Sequence, residues 1–295
     1  MTEKDMFTLV GIRPEPVAPA EKRKPLADFP WVSVILLTIL VICCLCAEML
    51  MTKDPSYLDL NHCIVAPNGE FLFGTDTLGR DIFSGIWYGG RISITIGFLA
   101  TLISTLIAVV YGSVSGVAPV WLDGLMMRFA EILLSIPGLL LVLFLQAVLG
   151  EANLLTLSLV IGVTSWAGIA KIVRTEVRQL KSSEYVIASR CMGGTFFHLL
   201  RKHLAPNFIA SIMFMVVMNI RGAIVSESTL SFLGMGLPLE IISWGSMLSL
   251  AEKALMTTSW WMILIPGFFL IALLMCLTNI GNYLRKNASR KESNL

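Results

Sequence analysis

Charged side chains are scarce in this sequence. Asp, Glu, Lys and Arg make up 14% of its 295 residues, where a soluble domain carries about 25%. Nucleotide-cradling residues are missing as well. No G-x-x-x-x-G-K-[ST] occurs, so the chain has no P-loop for ATP. It also lacks H-E-x-x-H and G-x-S-x-G, which leaves a metal- or serine-dependent hydrolase without support. The six cysteines give no disulfide framework. Cys43, Cys44 and Cys46 share one apolar run, Cys276 lies in another, Cys191 falls in a polar segment, and Cys63 stands alone. His62 and Cys63 are adjacent, but two neighbouring ligands do not make a metal site. A net charge of +2 says little for a nucleic-acid partner.

What the chain has instead is apolar length, 56% hydrophobic overall. A membrane-crossing helix needs about 20 mostly apolar residues. Six runs qualify: 31–51, 92–118, 125–149, 154–172, 208–233 and 260–283. They are continuous rather than alternating, which excludes a β-barrel pattern. Backbone groups in lipid must pair internally, so each run is expected to be a helix. The first run is too long for a signal-peptide core and follows a polar, Pro-rich tail. Of the 22 Lys and Arg residues, 5 lie in that tail, 1 is Arg128, 7 lie between 171 and 202, and 4 between 285 and 291. Those 17 fall on one side, against Lys53, Arg80, Arg91 and Lys253 on the other, with Arg221 inside a run. The positive-inside rule then places both termini in the cytoplasm. The expected fold is all-α and polytopic, with six transmembrane helices. Residues 1–30 are expected to form a flexible cytoplasmic tail, 31–284 the membrane domain and 285–295 a basic cytoplasmic tail.

Several residues stand out within that frame. Gly112 and Gly116 form a GxxxG in the second run, with Gly97 further along it, and small residues let helices approach closely in lipid. Trp31, Trp260 and Trp261 sit at run ends, as interfacial anchors do. Arg221 and Glu227 lie inside the fifth run, where each charge costs about 2.5–3.5 kcal/mol at the bilayer centre. Six residues apart, they point in different directions and form no i,i+4 pair. Each is expected to face a helix, the second subunit or a water-filled path. Asp76, Arg80 and Asp81 in the outer loop are read as a local charge network holding that loop, or as a contact for an external protein. Glu131 is read as an interface or capping group, and His198 and His203 as surface groups.

The longest inner connection contains SEYVIASRCMGGTFFHLLRKHLAPN over residues 183–207. Tyr185, Ala188 and Met192 share one helical face. Gly193 and Gly194 end that helix and Thr195 starts another, over 196–204, with Pro206 separating it from the next span. The reading is two short amphipathic helices outside the membrane, resting on lipid or docking a soluble partner. Tyr185, Phe196 and Phe197 would be the anchors and Ala188 would allow close approach.

This segment resembles the coupling loop of ATP-driven (ABC-type) importer permeases, written E-A-A-x-x-x-G followed by I-x-L-P. Here Ile187, Ala188 and Ser189 stand at the opening positions, then Gly193, then 203–206 ending in Pro206. Glu184 and Tyr185 keep the pattern of the peptide-permease branch. Three further segments resemble the same family in order: FGTDTLGRDIFSGIWYGGR (73–91), WLDGLMMRFAEILLSIPGL (121–139) and ESTLSFLGMGLPLEIISWGSML (227–248). Gly85 and Leu239 depart from it, where the family has arginine and proline. The resemblance covers about residues 30–283 and is nearest to the "C" permeases of dipeptide, oligopeptide and nickel importers.

The resemblance implies a type I importer permease in a bacterial cytoplasmic membrane, with its coupling loop at about 176–206. It implies a second permease, two ATPase subunits carrying ATP and Mg, and an extracytoplasmic substrate-binding protein. The chain itself would bind no cofactor and catalyse nothing. Peptide is the expected cargo, with nickel or a metal chelate as the alternative. An ion-coupled secondary transporter would show several mid-membrane acids and paired broken helices. The sequence has one acid clearly inside a run and no such symmetry.

Overall fold

The computed structural model describes residues 29–150, 152–181, 205–252 and 259–292. Helix dominates among the described residues, joined by loops with one isolated bridge between Thr75 and Asp81. Helix α1 (Trp31–Leu45) breaks at Cys46 into the single turn α2 (Ala47–Leu50). After a folded loop, α3 (Ile82–Val117) runs for 36 residues. Then come α4 (Val120–Ser135), α5 (Gly138–Leu149), α6 (Leu154–Thr164) and α7 (Trp166–Lys181). Helices α8 (Ala205–Phe232), α9 (Trp244–Glu252) and α10 (Trp261–Glu292) complete the order.

Local chemistry explains where these helices start and bend. Asp81 caps α3, its carboxylate accepting from the Ser84 amide at 3.0 Å. The helix therefore starts ten residues before the apolar run expected at 92–118. Pro137 divides the run expected as one span at 125–149. A proline disfavours helical geometry in the residue before it, and Ile136 is extended (ψ 130°). Helices α4 and α5 meet there at 92°. The run expected at 154–172 bends by 45° between α6 and α7. The Ser165 and Thr164 hydroxyls donate to the carbonyls of Ile161 (2.6 Å) and Val160 (3.0 Å). Such back-bonding at a helix break goes with bending. Helix α7 continues nine residues past that expected span, because its later turns carry arginines that find a partner on α4.

By length and composition, three helices are each long and apolar enough to cross a membrane: Ile82–Val117, Ile212–Phe232 and Trp261–Asn287. Each bent pair passes the same test when taken as one span, and Trp31–Leu45 is a shorter apolar helix.

Helix α3 is the central post. Its glycines set the spacing, as the GxxxG pattern suggested. A Cβ on Gly112 would fall 2.5 Å from the Ala170 carbonyl oxygen, and one on Gly116 2.7 Å from Val177 Cγ1, both on α7. A Cβ on Gly97 would fall 2.5 Å from Ile224 Cγ1 on α8. Lipid tails give helices no hydrophobic reason to associate, so close packing of this kind carries the assembly. Pairings rising together in number (100 with 162, 112 with 170, 116 with 177) make α6–α7 run parallel to α3. Helix α8 runs antiparallel to α3, and α10 antiparallel to α8. Outward-facing apolar stripes remain, such as Phe98, Leu102, Leu106 and Val110 on α3 and Leu264, Phe268, Ile271 and Met275 on α10. These suit lipid or another membrane subunit.

Two connections read as loops contain helix. Residues 82–90 belong to α3, and the connection expected at 234–259 holds α9, with Trp244 fully buried. Its indole donates to the Ile86 carbonyl at 2.9 Å. The ring fits because a Cβ on Gly90 would lie 2.6 Å from it.

Candidate functional site

At one end of the bundle, residues 52–81 fold into a compact cap. Gly74 and Gly79 both have positive φ (76° and 75°), which glycine adopts without strain. Asp76 sits inside the turn between them. Its Oδ1 accepts from the amides of Leu78 (2.8 Å) and Arg80 (2.9 Å). Burial pushes the Asp76 carboxyl above its usual range, and these two amides pull against that shift. Asp81 Oδ2 accepts from the hydroxyls of Ser84 (2.6 Å) and Thr52 (3.0 Å). Arg80 reaches across to donate to the Leu239 carbonyl at 2.9 Å. The expected charge network is thus a set of hydrogen bonds to backbone and hydroxyl groups, because both aspartates turn inward toward amides. Asp59 accepts from the His62 ring at 2.7 Å, and that bond holds its carboxyl below the usual range.

Beneath this cap lies Glu227, fully buried near the end of α8. Its Oε2 accepts from Ser93 on α3 (3.0 Å) and from Ser228 (3.3 Å), and its Oε1 accepts from Ser231 (3.0 Å). Ser93 Oγ in turn accepts the Trp244 amide at 3.3 Å. One carboxylate therefore ties α3, α8 and the start of α9 together. The backbones are already in contact, since a Cβ on Gly245 would fall 2.6 Å from Ser228 Cα. Arg221 takes another direction. Its Nη1 donates to Thr278 Oγ1 on α10 at 3.2 Å, and it makes no ion pair among the described residues. Gly222 beside it faces open space and Val225 is exposed.

A second polar cluster sits at the far end, where α3 and α7 finish and α4 begins. Asp123 on α4 is buried, and both of its oxygens are doubly engaged. Oδ1 accepts from Arg174 Nε (2.5 Å) and Ser115 Oγ (2.6 Å). Oδ2 accepts from Arg174 Nη2 (2.5 Å) and Arg178 Nη2 (2.8 Å). The bidentate fork is the strong form of an arginine–carboxylate pair. Alongside it, Glu131 pairs with Lys171 at 3.6 Å and Arg128 at 3.4 Å. Sequence reading had counted Arg174 and Arg178 only for topology. The available signal was their four-residue spacing, which puts both on one face of a helix, with an aspartate in a noted motif to receive them.

Of the coupling-loop residues, Glu184, Tyr185, Ala188, Gly193, Gly194, Phe196 and Phe197 lie outside the described residues. Pro206 stands at the boundary between that loop and the helix of the fifth run, as expected. It lies in the first turn of α8, where a missing amide costs no helical bond.

Among the described residues, a helical bundle with apolar outer faces, inward-turned polar clusters and a capped end suits a multi-pass membrane protein. The family described as "Binding-protein-dependent transport system inner membrane component" matches residues 108–290. The dipeptide transport system permease protein DppC of Bacillus subtilis is 39% identical over 219 residues, which is 74% of this chain and 68% of that one. The oligopeptide transport system permease protein OppC of the same organism is 39% identical over 242 residues, 82% of this chain and 79% of that one. OppC of Haemophilus influenzae is 36% identical over 262 residues, 88% and 84% of the two chains. A solved structure of the MetNI methionine ABC transporter in inward-facing conformations shares the fold, with a TM-score of 0.55 at 16% identity over 69% of this chain and 95% of that one. This chain belongs to the binding-protein-dependent transport system inner membrane component family and is an ABC transporter permease subunit.

Proposed function

We propose that this chain is one of two membrane subunits through which an ATP-driven importer moves short peptides across a bacterial cytoplasmic membrane. The observation that carries the cargo is the similarity, at 36–39% identity over most of the chain, to permeases named for dipeptide and oligopeptide transport. Six spans with both termini inside fit the helix order when α4–α5 and α6–α7 each count as one bent span and the shorter apolar helix α1 as the first. The 17-to-4 bias of Lys and Arg sets the direction. The cap of residues 52–81 then faces outward, toward a substrate-binding protein, with Asp76, Arg80 and Asp81 holding its shape.

Transport proceeds by alternating access. Two ATPase subunits supply the energy, with ATP and Mg bound on them. Residues 176–206, including Glu184, Tyr185, Gly193 and Phe196, seat on one of these subunits and move with it. Arg221, with Gly222 and Val225 on its open side, lines the route, where it meets peptide carboxylates, or pairs at the seam with the second permease. The test is uptake in a strain lacking this chain, offered labelled dipeptides, oligopeptides and, separately, nickel. Loss of peptide uptake alone, restored by the intact chain, is the expected result. Loss of nickel uptake alone would move the cargo to a metal. No change in either would overturn the reading.

A further inference from the structure

The geometry points to Asp123 as the joint through which displacement of α7 is passed into α4 and across the Pro137 elbow into α5. The inference rests on the reading that residues 182–204, which follow α7 in the chain, seat on an ATPase. Helix α7 leads directly into that segment, ending at Lys181. Its last turns are fixed to α3 by the Gly112 and Gly116 approaches, and a Cβ on Gly116 would lie 3.1 Å from the Arg174 carbonyl oxygen. Helix α4 is seated further along, where Tyr111 donates to the Met126 carbonyl at 2.8 Å and Ala130 is buried beside Trp166 and Ala167, but its first turns are open. Gly124, one residue after Asp123, has nothing within 4 Å, and Val120, Trp121 and Leu125 are exposed.

What joins the start of α4 to α7 is chiefly the Asp123 carboxylate, whose side chain is 5% exposed and meets two arginines one turn apart. A bidentate pair fixes orientation as well as distance, so it passes rotation of α7 to α4. The second link, Glu131 with Lys171, is longer at 3.6 Å and half exposed, so it transmits less. The 92° elbow then turns a displacement along α4 into a sideways displacement of α5. Asp123 touches neither cargo nor nucleotide in this scheme. It is a positioning residue for coupling.

The test uses the whole complex, with both permeases and ATPases, in liposomes with the binding protein and a labelled dipeptide. Uptake and ATP hydrolysis are measured on the same preparation, and subunit co-purification reports assembly. Asp123→Asn is expected to leave assembly and hydrolysis within twofold of wild type while dipeptide delivered per ATP falls at least tenfold. Arg178→Gln, at a side chain 42% exposed, removes one donor without disturbing the core and should lower the ratio about threefold. Exchanging the pair, Asp123→Arg with Arg174→Asp, should recover part of the ratio lost in either single variant. An unchanged dipeptide-to-ATP ratio in assembled Asp123→Asn or Arg178→Gln complexes would overturn the proposal. If Asp123→Asn fails to assemble, Arg178→Gln decides alone. Gly193→Asp separates the two readings. If it leaves ATPase binding intact, the docking reading fails. If it abolishes binding while Asp123→Asn transports normally, only the joint fails.

Discussion

Glu227 and Ser93 are 134 residues apart in the chain and 3.0 Å apart in the fold. Ser93 also holds the amide of Trp244, so three helices converge on a single hydroxyl–carboxylate contact. Glu227→Ala would leave the hydroxyls of Ser93, Ser228 and Ser231 without their acceptor in a site closed to water. An unsatisfied buried group costs about 1–3 kcal/mol. The thermal midpoint of the purified complex should drop accordingly, and a midpoint equal to wild type would contradict this account of the knot.

Two glycines offer a paired experiment. Gly112→Leu drives a side chain into the Ala170 carbonyl and Val173, separating α3 from α7, and should abolish accumulation of the protein in membranes. Gly124→Ala meets nothing within 4 Å. It should leave expression unchanged or raise stability by about 0.5–1 kcal/mol, as alanine does in a helix interior. Equal effects from both would refute the packing argument.

The Asp76 turn should respond to pH with a definite sign. Burial raises this carboxyl above its unfolded value, so the folded turn binds more protons in the interval between the two values. Stability of the turn then falls as pH rises through that interval and is fully present below it. Asp76→Asn keeps an oxygen for the amides of Leu78 and Arg80 and has no proton to lose. Protection factors at those two amides, with the intrinsic pH dependence of exchange divided out, should rise on acidification in wild type and stay flat in the variant. A flat wild-type profile would count against the burial argument.

Arg221→Gln tests whether the guanidinium does more than bridge α8 to α10. A glutamine amide still reaches a hydroxyl, so assembly should survive. Dipeptide uptake should fall at least tenfold if the cation meets carboxylates on the route. Unchanged uptake with unchanged assembly would assign Arg221 to packing alone.

The sequence announced some of this and hid the rest for identifiable reasons. Long apolar runs marked α3, α8 and α10, since lipid demands continuous apolar length. The glycine spacing on α3 correctly signalled a close neighbour, although not which helix supplied it. The start of α3 was missed because residues 82–91 hold three glycines and end in Arg91, while the Asp81–Ser84 cap that begins it was legible. Helix α9 read as loop because the serines around its start look polar in isolation, yet Ser243, just before it, and Ser246 within it bond one another and bury. Pro137 could have announced the elbow. The four-residue spacing of Arg174 and Arg178 marked a shared helical face, but not that Asp123, 51 residues before Arg174, would meet it once α4 and α7 have packed.

The length of α3 has a bearing on the lipid itself. At 1.5 Å per residue, a helix of 36 residues spans about 54 Å, while the hydrocarbon layer is about 30 Å thick. The surplus projects or tilts, and the apolar stripe from Phe98 to Val114 can slide against the acyl chains without drawing Asp81 into them. The central post is thereby tolerant of hydrophobic mismatch. Transport should vary little between bilayers whose acyl chains differ by a few carbons.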